Sequence, residues 1–177
     1  LRPDAPLTGR ERGNATHLFM QFVRYESCTT REGIRQELVR MQAEKFLTPR
    51  QAEAVDAEKI LALFSSELGN RILHADSLRR EFKFSILADA AAYDPAAVGE
   101  QVMLQGVVDC FWQEPDGIVI LDFKTDYIHG DLQQKAARYA PQLRAYAQAL
   151  SRIYQCPVKK TVLYFFSAGR EVEIDPE

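Results

Sequence analysis

The sequence predicts a mixed α/β domain, on three observations. Its first half carries apolar residues at helical spacing, its second half switches to the alternation of strands, and the order of elements reads α…βββαββ. A chain of 177 residues with 46% apolar content is large enough to bury a core without disulfide or metal staples.

Taken in order, residues from about 14 to 26 place Leu18, Phe19, Phe22 and Val23 on one helical face. Thr48-Pro49-Arg50-Gln51 is a capping box with proline at the first helical position, and one helix after it is expected to carry Val55, Ile60, Leu61 and Phe64. Residues 81–86 alternate, with Phe82, Phe84 and Ile86 on one face of a strand. A loop follows over 89–100. Two strong strands, about 101–113 and 117–124, are joined by Glu114-Pro115-Asp116-Gly117, which is turn chemistry. A helical stretch then runs to about Tyr154, Pro141 inside it starts the helix that bears 142–150, and the last two strands are 161–167 and 171–174 around Ala168-Gly169. The expected division is a helical region over 1–78 and an α/β core over 79–177. The opening Leu1-Arg2-Pro3-Asp4-Ala5-Pro6, without methionine, reads as a segment cut from a longer chain.

Composition excludes more than it selects. No apolar run is long enough to span a bilayer, and no secretory signal is visible. Cys28, Cys110 and Cys156 are odd in number and far apart, so they read as reduced, structural thiols of an intracellular protein. Three cysteines do not make a four-thiolate iron–sulfur site. The net charge of −3 lacks the basic footprint of a stand-alone nucleic-acid binder, yet a carboxylate metal site is itself acidic.

Chemistry concentrates in Gly106-Val-Val-Asp109 and Leu121-Asp122-Phe123-Lys124, where two apolar strands end in charge. A buried carboxylate needs a partner such as a cation. Period-two geometry puts Asp122 and Lys124 on one face and turns Phe123 into the packing. If Pro115 and Asp116 form a two-residue loop, Asp109 falls opposite Asp122, with Cβ atoms about 4.5–5.5 Å apart. A slip of one residue would separate them to opposite faces. Two hard carboxylates suit Mg²⁺ or Mn²⁺ and phosphodiester hydrolysis, with the lysine beside the attacking water. A lone D-x-K is most often a surface ion pair; the second aspartate in register distinguishes this one.

With His17 ahead of these motifs and Gln142-Leu-Arg-Ala-Tyr146 behind them, the chain resembles the RecB-like nucleases of the PD-(D/E)xK superfamily. It is most similar to the C-terminal nuclease domain of the A subunits of bacterial AddAB helicase–nucleases. The resemblance implies a restriction-endonuclease-like core: a central mixed sheet flanked by helices, behind an N-terminal helical region. It implies that His17, Asp109, Asp122 and the Phe123 carbonyl bind the metal, that Lys124 is the catalytic lysine, and that Gln142 and Tyr146 border the site. Glu81 receives a minor supporting role, while His74 and His129 have no such support and read as ordinary. Trp112, Tyr164, Phe165 and Phe166 are expected in the core, and Lys159-Lys160 and Arg152 as solvated charge.

The implied activity is Mg²⁺-dependent exonucleolytic cutting of single-stranded DNA during double-strand break repair in the bacterial cytoplasm, at the nucleoid. The implied partners are DNA, a helicase in the same chain and a B-type subunit, with no membrane. The four-cysteine iron–sulfur staple of the B subunits is missing here, as is a phosphate-binding Walker loop, so ATP chemistry belongs outside this segment. The rival readings are a free-standing exonuclease, a degenerate nuclease kept as a structural or DNA-guiding module, and a chance D-x-K in a protein-binding domain.

Overall fold

The computed structural model describes residues 7–176; the reading of the first six residues lies outside them. Contacts divide the chain into two units. The first comprises Leu1–Ala75, Phe123–Asp131 and Tyr164–Glu171, and the second Asp76–Asp122, Leu132–Leu163 and Val172–Glu177.

The first unit is mostly helical. Helix α1 (Gly9–Phe22) starts earlier than hydrophobic spacing predicts, because Thr8 and Glu11 form a reciprocal capping box that satisfies its opening N–H groups. It ends at Val23, whose backbone is extended, and a short 3-10 turn (Tyr25–Thr29) follows. Helix α2 (Arg31–Ala43) is capped by Thr30. The capping box at Thr48 and Gln51 opens α3 as expected, but the single helix predicted beyond it is two: α3 (Pro49–Ala54) and α4 (Ala57–Phe64). The cause is local. Val55 is extended, and the Asp56 carboxylate accepts from the Glu58 and Lys59 N–H groups, which restarts the helix. Helix α5 (Glu67–Leu73) completes the layer. Phe19, Ile34, Met41, Ile60, Leu63 and Ile72 are buried at its centre.

A buried carboxylate ties this layer together. Glu37 is 4% exposed. It accepts from the Arg24 backbone N–H (2.9 Å) and from Arg40 Nε and Nη2 (3.0 and 2.7 Å), while Arg40 also donates to the Phe22 carbonyl. The end of α1 is thereby locked to α2.

The strands are β1 (Arg79–Asp89), β2 (Gln101–Glu114), β3 (Gly117–Lys124), β4 (Val158–Phe165) and β5 (Arg170–Ile174), in that spatial order. β1 and β2 are antiparallel, as are β2 and β3. β3 and β4 run the same way: the Ile118 N–H donates to the Pro157 carbonyl at their starts, and the Phe166 N–H to the Lys124 carbonyl at their ends. Parallel neighbours need a crossover, here supplied by α6 (Leu132–Ala137) and α7 (Ala140–Tyr154). β4 and β5 are joined by a tight turn, in which the Gly169 N–H donates to the Phe165 carbonyl. The sheet is therefore mixed and flanked by helices, as the resemblance implied.

In the second unit α7 lies on β1 and β2. Tyr154 packs against Phe82 and Phe111, and Tyr146 against Phe84 at 5.7 Å and 83°. Trp112, Phe165 and Phe166 are buried, as expected of core residues, and Tyr164 is too. Cys28 and Cys110 are buried thiols. Lys159 and Lys160 are not simply solvated: the first bridges Glu114 and Asp116, and the second pairs with Glu173.

Burial alone would raise the Glu37 carboxyl, but the Arg40 hydrogen bonds, the Arg24 N–H and both guanidinium charges outweigh it and hold the group below its ordinary 4.5. A depressed carboxyl stabilises the fold while ionised, so its contribution is complete above the ordinary glutamate range and fades as pH falls through the lowered value. Glu37→Gln should cost about 2 kcal/mol at neutral pH and flatten the acid limb of the stability profile, read by urea unfolding between pH 7 and 3.

Candidate active site

Two residues separate Glu114 from Gly117, which face each other across the β2–β3 turn. From there the ladder runs without a slip through Trp112↔Val119 to Cys110↔Leu121. The two-residue turn that the sequence required is present, and one further step in this register, past Cys110↔Leu121, would set Asp109 opposite Asp122. Asp122 is 3% exposed, on a strand whose residues 117–123 are all buried. Other groups engage Asp122, and its Oδ2 atom is buried with no hydrogen-bond partner. Asp109 is half-buried.

The glycine of the Gly106-Val-Val-Asp109 motif has a packing role. A Cβ there would lie 2.8 Å from ring carbons of both Phe84 and Tyr146, so only a bare Cα lets these rings settle on β2. Tyr146 is 7% exposed, and its hydroxyl accepts from Gln142 Nε2 at 2.7 Å. The pair sits one helical turn apart on α7, as its spacing predicted. Burial first, then the charge of Asp122, push the Tyr146 phenol up to about 12; the Gln142 bond opposes this, and Asp109 and Glu81 add to it. A phenol so held keeps its proton, and with Gln142 supplying its accepted bond it is equipped to donate.

Glu81 stands nearer to this centre than its sequence suggested. The β1–β2 register pairs Arg80 with Cys110 and Phe82 with Val108, and Glu81 and Asp109 stand between these two pairs. Glu81 has φ 52°, a left-handed backbone that is costly for a side chain with a Cβ. Alternation changes phase there: Gly106 meets Tyr146 of α7 and Phe111 meets Tyr154, although the two are an odd number of residues apart on β2. Burial raises the Glu81 carboxyl despite Lys83 and Arg80 nearby. No sequence pattern announces a left-handed glutamate inside a strand.

The first unit holds the remaining candidates. His17 is half-buried on α1. Gly13, one turn earlier on the same face, approaches the segment after β3 so closely that a Cβ would fall 2.6 Å from Thr125 Oγ1. Lys124, the residue before Thr125, is half-buried, and its carbonyl is held by Phe166 N–H at 2.9 Å. Phe123 packs on Phe166 at 5.6 Å, which turns its side chain into the core as the strand period required. Among the described residues no three His, Cys, Asp or Glu side chains form a group arranged to hold a metal. The facing aspartates still fit a magnesium-type ion, which keeps several waters and takes one or two carboxylates together with substrate phosphate oxygens.

A mixed sheet with two in-register aspartates and a D-x-K strand end defines a nuclease of the restriction-enzyme type. The chain belongs to the PD-(D/E)XK nuclease superfamily, whose family model matches residues 1–176. Among characterised proteins it is 38% identical over 180 residues to the A subunit of the ATP-dependent helicase/nuclease from Clostridium novyi (strain NT), covering 98% of this chain and 15% of that protein. It is 42% identical to the protein of the same description from Bacillus cereus (strain Q1), covering 96% and 14%. The chain thus spans about one seventh of the length of these relatives. The solved structure of SSO0001 is similar over 91% of this chain and 66% of its own, at 16% identity and a TM-score of 0.42, too loose a likeness to carry an argument.

Two substitutions test the packing. Gly106→Ala should cost about 1–3 kcal/mol in thermal unfolding by overpacking the Tyr146 and Phe84 rings. Gly13→Ala should destabilise by a similar order, and Thr125→Ala in the same chain should recover most of the loss. Full additivity of that double-mutant cycle would sink the close approach.

Proposed function

We propose that this chain hydrolyses phosphodiester bonds of DNA with a divalent ion, Mg²⁺ or Mn²⁺, held by Asp109 and Asp122. The observation that supports the reading is the unslipped register that follows the two-residue turn, which, continued one step past Cys110↔Leu121, would set Asp109 opposite Asp122 within apolar strands. An ion bound there supplies a Lewis acid for a phosphate oxygen and a lowered pKa for a coordinated water. The resemblance adds His17 and the Phe123 carbonyl as further ligands.

The chain's own groups would do the rest. Lys124 orients the attacking water and offsets charge that develops on the phosphate. Neutral Tyr146, steadied by Gln142, donates a hydrogen bond toward the carboxylate pair or a water bound there. Glu81 adds negative charge beside Asp109 and favours retention of a cation. No covalent intermediate is required.

The substrate is proposed to be single-stranded DNA, cut exonucleolytically as a helicase in the same long chain unwinds break ends for recombinational repair. A B-type subunit is the proposed partner and the bacterial cytoplasm, at the nucleoid, the proposed location. These points rest on the similarity to the helicase/nuclease relatives, of which the chain covers a small part. No helix among the described residues is long and apolar enough to cross a membrane. The 1–78 helical region and 79–177 core are proposed to act as one nuclease domain.

Cleavage of a labelled single strand, followed with Mg²⁺, Mn²⁺ or EDTA, checks the reading. Asp109→Ala, Asp122→Ala and Lys124→Ala should each lower the rate on the order of a hundredfold or more, without loss of folding. Metal-dependent cutting that survives all three substitutions overturns it.

A further inference from the structure

The loop that leaves β3 carries two rings that the proposed chemistry does not use. Tyr127 is 73% exposed, and its ring lies 6.3 Å from that of His129 with 24° between the planes, an offset stack on the protein surface. The segment 125–129 has no regular secondary structure. The rings are two residues apart, on either side of half-buried Ile128, as in an extended backbone that turns alternate side chains the same way.

One exposed tyrosine is ordinary. This one is distinguished by its partner, its anchorage and its place. The root of the loop is braced three times within the first unit: Phe166 N–H donates to the Lys124 carbonyl, Ser167 Oγ donates to the Asp126 carbonyl at 2.6 Å, and Gly13 abuts Thr125. The rings therefore stand on a fixed base three and five residues beyond Lys124. Full extension carries the chain about 10 Å from Lys124 to Tyr127, a distance that one or two nucleotides bridge.

We infer that Tyr127 and His129 form a stacking platform for a nucleobase of single-stranded DNA, one or two nucleotides from the bond that is cut. The inference rests on the nuclease reading and deepens it. Every base has a π-face, so a ring platform grips a strand without reading its sequence, as an exonuclease of varied DNA requires. Asp126 and Asp131 flank the rings, and both are engaged by other groups. Their charge favours contact through the base over contact through the phosphate.

The test is fluorescence anisotropy of a labelled oligothymidylate with the chain in EDTA, where nothing is cut. Tyr127→Ala should weaken binding about tenfold and His129→Ala less, while Tyr127→Phe should bind as the wild type does. A strand of abasic units should bind wild type and Tyr127→Ala equally weakly. Thermal unfolding should be unchanged by these surface substitutions. Tyr127→Ala binding as tightly as wild type, or wild-type affinity indifferent to missing bases, overturns the platform. The same proteins given Mg²⁺ separate the two readings. Cutting by wild type with no Tyr127 effect on binding removes only the platform. Tyr127-dependent binding without any cutting removes only the catalytic assignment.

Discussion

A carboxylate within an apolar strand is expensive to bury, and two close together are more so. β2 and β3 accept that cost. Their two-residue turn sets the register, and that register, continued one step past Cys110↔Leu121, would carry Asp109 and Asp122 to the same level of the sheet. Neighbouring features answer the concentration of negative charge. Gly106 clears space for the Tyr146 ring, Gln142 occupies an acceptor position of its hydroxyl, and the phenol stays protonated beside the acids. A cation would relieve the repulsion, which is why a site of this kind reads as chemistry and not as scaffolding.

The sheet around this pair is built so that its strands end in different surroundings. The antiparallel β1–β2–β3 portion brings Glu81 beside Asp109, at the price of a left-handed backbone in a strand. The parallel β3–β4 pairing holds the Lys124 carbonyl, and Phe123 locks into Phe166. In the helical unit the Glu37–Arg40 pair fixes the end of α1, the helix that bears His17. Charged groups outside the proposed chemistry thus hold an element proposed to contribute to it.

Membership of the PD-(D/E)XK superfamily and the short span of the chain within its relatives suit this economy. A net charge of −3 gives little long-range attraction for DNA. The proposed local devices would matter correspondingly more: a cation at the aspartates, a lysine two residues on, and rings that grip a base. A strand delivered by other parts of a longer protein would need no strong electrostatic capture here.

Much of the local structure is legible from the residues alone. The capping box at Thr48, the proline that opens α7 and the Pro115-Asp116 turn are short-range interactions, decided by residues within a few positions of one another. The facing of Asp109 and Asp122 belongs with them, since turn length and strand period suffice to deduce it. The split between α3 and α4 was also local, but hydrophobic spacing ran across it, and Asp56 decided the matter by capping. Other features needed the folded chain. The rings of Phe84 and Tyr146 meet at Gly106 from positions far apart in sequence, and Gly13 meets Thr125 across more than a hundred residues. The left-handed Glu81 and the stacked Tyr127 and His129 follow from how strands and braces are held, not from any motif. Sequence determined which groups carry the charge and the periods that aim them. Tertiary structure decided which of them share a space, because close approach depends on steric fit between segments that no local pattern relates.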